Sequence, residues 1–158
     1  MSGKKHELLA LKTMALVQLS IAQRILKHTG HLLPCAIVPR ADGSLIYADL
    51  PDDKHLWRAH LTALLRWENA QRYFVLCEAW ACDLQVDGPD SLFKSLPGLP
   101  VHDNPLRYEI IMVAAVERTG DTLLVHQQFT HEPQGIKLYQ PRVFNRVKLP
   151  TLPTSWSC

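Results

Sequence analysis

Tyr73-Phe74-Val75-Leu76-Cys77-Glu78-Ala79-Trp80-Ala81-Cys82 is an apolar run interrupted by a single carboxylate. A run of this length and composition reads as a central strand covered on both faces. The strand is expected from Arg72 to about Leu84. Alternation places Val75, Cys77, Ala79 and Ala81 on one face, and Phe74, Leu76, Glu78, Trp80 and Cys82 on the other. Glu78 therefore stands mid-strand. A carboxylate there needs an ion pair, hydrogen bonds or a proton. The expected partner is Arg107 or a backbone donor, which makes Glu78 either a structural anchor or the centre of a site.

Downstream, 106–117 and 122–131 form the clearest hairpin, turning at Arg118-Thr119-Gly120-Asp121. In its first strand, Tyr108, Ile110, Met112, Ala114 and Val116 make an unbroken apolar face. The opposite face carries Arg107, Glu109, Ile111, Val113 and Ala115. A turn symmetric about Thr119-Gly120 pairs Val113 with His126, Ile111 with Gln128 and Glu109 with Thr130, and paired residues share a face. A last strand is expected at 142–149. The Pro-containing tail 150–158 is too short for another element, so the chain reads as a single domain over 1–149 followed by that tail.

Upstream, 5–28 has the pattern of a helix. Lys12, Thr13, Ser20, Gln23, Arg24 and Lys27 share one arc, and apolar residues from Leu8 to Leu26 fill the remainder. That apolar arc is wider than the stripe of about 100° a surface helix needs. Gly30 suits the stop. Lys4 and Lys5 ahead of the apolar stretch resemble a signal peptide, but Lys12, Gln18, Gln23 and Arg24 interrupt it, so neither a leader nor a membrane span is expected. Leu33–Val38 and Ser44–Ala48 flank Asp42-Gly43, a strong hairpin signal. Pro34 and Pro39 point to an edge position for the first of these strands. A second helix is expected over 53–70, with Leu56, Trp57, Leu61, Leu64 and Trp67 on its apolar side and His60 within the same arc. Residues 85–105, rich in proline and carrying Gly88, Leu92, Phe93, Leu96 and Gly98, read as a long loop, either a lid or an excursion packed on the core.

The order is α-β-β-α-β-β-β-β. The economical arrangement is an α+β fold with two helices on one face of a five- or six-stranded, mainly antiparallel sheet. The 158 residues suffice for one core, and the 47% apolar and 20% charged content is that of a folded domain. A net charge of +2 with scattered Lys and Arg makes a nucleic-acid partner an unlikely expectation. Cys35, Cys77, Cys82 and Cys158 show no CxxC spacing and fit a reducing, cytoplasmic setting. His55 and His60 are five apart and His28 and His31 straddle a helix stop, so no metal site and no cofactor are expected.

The sheet face away from the helices then carries Glu78, Trp80, Arg107, Glu109, His126 and Gln128 among aliphatic side chains. Two functions follow from that mixture. The first is a small interaction or regulatory module, self-associating as a homodimer or docking a protein partner, with Trp80, Arg107 and Gln128 as binding residues. The alternative is a hydrolase or ligand-binding domain in which Glu78 or Glu109 exchanges a proton with His126. No phosphate loop, GxSxG or HExxH motif decides whether the chain is an enzyme.

Overall fold

The computed structural model describes residues 2–81 and 106–156, and side chains from Leu9 onward. Cys82, Cys158 and the expected loop at 85–105 lie outside the described residues.

Helix α1 spans Ser2–Thr29. It stops at Gly30, whose φ of +81° is open to glycine and whose N–H donates to Leu26 O at 2.8 Å. Strands β1 (Cys35–Pro39) and β2 (Leu45–Asp49) follow as a hairpin. Asp42 Oδ1 accepts the Ser44 N–H at 2.9 Å in its turn. Asp53 then accepts the His55 N–H at 2.9 Å and opens a 3-10 turn at Lys54–Leu56. Helix α2, Trp57–Trp67, continues from it. Then come β3 (Arg72–Ala81), β4 (Tyr108–Glu117), β5 (Thr122–Glu132), β6 (Gly135–Leu138) and β7 (Arg142–Asn145).

The strands make one antiparallel sheet in the order β2-β1-β3-β4-β5-β6, with β7 also paired to β5. The α+β class and the sequence-derived element order hold. Two details differ. β1 is an interior strand between β2 and β3, because Pro34 precedes it and Pro39 sits beyond the Cys35–Ile37 stretch that pairs with β3, so neither proline interrupts that ladder. β6 was not foreseen. It turns back after Pro133-Gln134 and runs with β7 along one edge of β5. Phe129 pairs with Leu138 and His126 with Arg142, so three steps along β5 match four along its neighbour: a bulge around Tyr139–Pro141 separates β6 from β7.

The helices lie on opposite faces of the sheet, not on one. Leu11, Ala15, Leu19, Ala22 and Leu26 of α1 pack with Phe74, Leu76, Ile111, Val113, Val125 and Phe129. Trp57, Leu61 and Leu65 of α2 pack with Tyr73, Val75, Ala114, Val116 and Leu124. The parity of β3 explains why. Both of its faces are apolar from Tyr73 to Cys77, so each needs a cover. The long apolar arc of α1 serves one face, and the i, i+4, i+8 stripe of the shorter α2 serves the other. His60 and Trp67, expected on the packed side of α2, point outward, with Trp67 86% exposed.

The tail shares the work of α2. Its described residues, 150–156, form no helix or strand, yet Leu152 and Trp156 are buried in the α2-side core, which therefore extends through Trp156 rather than ending at 149. Trp156 Nε1 donates to Ala70 O at 2.7 Å, and its ring meets Tyr73 edge-on at 5.5 Å. The Tyr73 hydroxyl donates to Pro153 O at 2.5 Å. Burial pushes the Tyr73 phenol well above its ordinary range, against a smaller opposing pull from Arg58.

Candidate functional site

The turn between β4 and β5 decides which side chains meet. Glu117 N–H donates to Asp121 O at 2.8 Å, Gly120 N–H returns to Glu117 O at 2.9 Å, and Gly120 has φ +99°. A three-residue loop closed by a left-handed glycine replaces the symmetric two-residue turn. The register moves by one: Ala115 pairs with Leu123, Val113 with Val125 and Ile111 with Gln127. A one-residue shift sends every β5 side chain to the other face. His126 and Gln128 therefore leave the Glu78 face, and Gln127 joins it.

His126 lies opposite Met112, buried, with its ring stacked on Phe144 at 4.8 Å and 4° between planes. Gln128 pairs with Ile110 on that same side. The sheet stands between these two residues and Glu78, so Glu78, Glu109 and His126 form no common pocket.

On the α1 face the remaining residues do gather. Trp80 pairs across β3–β4 with Glu109. The Arg107 guanidinium lies over the Trp80 ring at 4.7 Å, a cation–π contact. Glu109 Oε2 is 3.6 Å from His131 Nε2, whose ring meets Phe129 edge-on at 5.6 Å. Glu78 is engaged elsewhere: its Oε1 accepts the Leu32 N–H at 2.5 Å. Its expected backbone donor is thus Leu32, just past the end of α1. Further along, Gln23 Nε2 of α1 donates to Gln127 Oε1 at 2.6 Å, and Gln127 Nε2 donates to Tyr139 O at 2.6 Å. This chain of bonds ties α1 to the bulge between β6 and β7. Gln127 and His131 were missed from the sequence. The signal for them was Gly120 in third position of the Arg118-Thr119-Gly120 loop, which favours the bulged turn.

The Trp80–Arg107–Glu109–His131 group is a surface rather than a pocket. Trp80 is 44% exposed, Arg107 and His131 are also exposed, and no proton donor or acceptor here is deeply buried. Among the described residues no cluster of three or more His, Cys, Asp or Glu side chains is arranged to hold a metal ion. Cys35 and Cys77 are free thiols. Burial raises both, and pushes Cys77 up to about 12, so neither is poised as a nucleophile at neutral pH.

The other exposed apolar surface is helical. Outside its buried arc, α1 exposes Leu9, Leu16, Val17 and Ile25 interspersed with Lys12, Thr13, Ser20, Arg24 and Lys27, with Val17 53% exposed. Shallow grooves run along this face past Thr13, Ser20 and Ile21. The segment Leu9–Thr29, mean hydropathy 1.3, is long and apolar enough by length and composition to cross a membrane, and 33% of the scored window is buried inside the protein. Leu56, in the 3-10 turn before α2, and Trp67, the last residue of α2, are exposed as well.

No protein-family model, curated protein or solved structure matches the chain.

Proposed function

We propose that the protein is a small interaction or regulatory module that self-associates through the outer face of α1. One observation carries this reading: α1 leaves large apolar side chains exposed beyond its buried arc. Leu11, Ala15, Leu19, Ala22 and Leu26 fill the core, while Leu9, Leu16, Val17 and Ile25 remain at the surface. Apolar side chains left exposed on a helix that already fills a core are covered when a second copy packs against them. Exposed apolar area of this kind marks interaction sites. The Arg107-capped Trp80, on the α1 side of the sheet, adds an aromatic anchor of the type found at interface centres. The free thiols of Cys35 and Cys77 fit a reducing, cytoplasmic setting.

The test is molar mass by light scattering at high micromolar concentration. The wild type is expected to be dimeric, and Val17→Glu with Ile21→Glu monomeric with an unchanged circular dichroism spectrum. Leu11→Glu and Ala15→Glu serve as contrasts. Both positions are fully buried, so these changes unfold the domain instead of separating folded subunits. A monomeric wild type rejects the reading.

A further inference from the structure

A cavity of about 570 Å³ lies far from α1, between the first turn of α2, the β4–β5 turn and the chain that leaves β7. Three cationic side chains line it, Arg58, Arg146 and Lys148, against one acid, Asp121. The ion pairs Arg40–Glu68, Arg72–Glu117 and Glu109–His131 engage other residues, so the charge of Arg146 and Lys148 is not neutralised by them. Val147, Leu149 and Leu152 give the cavity an apolar floor.

The wall is held in place. Thr122 fixes it twice: its carbonyl accepts the Arg146 N–H at 2.8 Å, and its hydroxyl donates to Val147 O at 2.7 Å. Arg146 has φ +55°, a left-handed conformation that a non-glycine residue adopts only where its surroundings impose it. Arg58 donates to Pro150 O, which orients its guanidinium along the same rim. The backbone of the wall and the Arg58 guanidinium are thus held in place, and Arg146 and Lys148 project from that wall as exposed residues.

We infer that this groove binds an acidic peptide segment whose carboxylates meet Arg58, Arg146 and Lys148 and whose aliphatic side chains rest on Val147, Leu149 and Leu152. Cations over an apolar floor match alternating acidic and aliphatic side chains. A single-stranded nucleic acid fits less well, because base stacking needs aromatic platforms and none lines the cavity among the described residues.

The experiment uses the full chain and a fluorescein-labelled peptide of alternating Glu and Leu, read by fluorescence anisotropy at low and high salt. A peptide with Gln in place of Glu and a single-stranded oligonucleotide are the competing probes. Binding of the Glu peptide that weakens with salt is expected, together with a loss of about tenfold in the Arg146→Asn, Lys148→Glu double variant. Asn accepts the left-handed backbone at 146, and both positions are exposed, so this variant keeps its fold, which circular dichroism checks. No binding of the Glu peptide, equal binding of the Gln peptide, tighter binding of the oligonucleotide or unchanged affinity in the variant overturns the assignment. Light scattering of the double variant separates this outcome from the α1 reading, since the α1 face is intact in it.

Discussion

Glu78 Oε1 accepts the Leu32 N–H at 2.5 Å, and this bond joins the interior strand β3 to the chain that has just left α1. It lies where the apolar part of β3 ends: Leu76 and Cys77 are buried, while Ala79 is half-buried and Trp80 exposed. The carboxylate thus marks the border between core and surface. It ties the segment that follows α1 to β3, while α1 itself is seated by the packing of Leu11, Ala15, Leu19, Ala22 and Leu26 on the sheet.

Removing this acceptor leaves a half-buried N–H without its partner. Glu78→Ala should destabilise the fold by about 1–3 kcal/mol, and Glu78→Gln by less, because an amide oxygen still accepts from Leu32. Urea denaturation midpoints check both. Equal losses in the two variants would show that the negative charge, not the acceptor, matters.

The tail is structural. Truncation after Leu149 removes Leu152 and Trp156 and uncovers Tyr73 and Ala70. Trp156→Ala alone should cost about 3–5 kcal/mol, as for other fully buried aromatics. The truncated chain should lack a cooperative thermal transition. A sharp transition at the wild-type temperature would place 150–156 outside the folded unit.

Most of the fold is legible in the sequence because each long element carries its own periodicity. The run over 73–81, the strand alternation of 108–131 and the breadth of the first helix all survive in the structure. What was illegible depends on single residues acting at a distance. Gly120 moves the β5 register by one and so removes His126 and Gln128 from the candidate surface. The two-sided burial of β3 draws the helices to opposite faces, and no local pattern in either helix records that choice. β6 is only four residues long, and Trp156 reaches the core from a proline-broken segment, so neither has a period to read.

Gln18 lies within the buried arc of α1, 6% exposed, and its Oε1 has no hydrogen-bond partner among the described residues. An unsatisfied buried amide costs more than an apolar side chain of similar size. Gln18→Leu or Gln18→Met should therefore stabilise the fold by about 1 kcal/mol, raising the urea midpoint without changing the slope. A destabilised variant would show that the amide of Gln18 is satisfied in solution.

Alkaline pH should loosen the core, and the sign follows from Cys77. Burial, the leading cause, pushes its thiol from the ordinary 9.0 up to about 12; Lys54 pulls weakly the other way. The folded state keeps this proton where the unfolded chain has lost it. The stability tied to Cys77 is fully present below pH 9 and is lost as the pH climbs toward 12, at about 1.4 kcal/mol per pH unit for one such group. Tyr73, also raised by burial, adds to the loss above its ordinary value of 10.0. Urea midpoints at neutral pH and at about pH 10 measure the effect. Cys77→Ala should lower stability at neutral pH through the small void it leaves, yet show a shallower alkaline decline. An equally steep decline in that variant would assign the loss to Tyr73 and Cys35 instead.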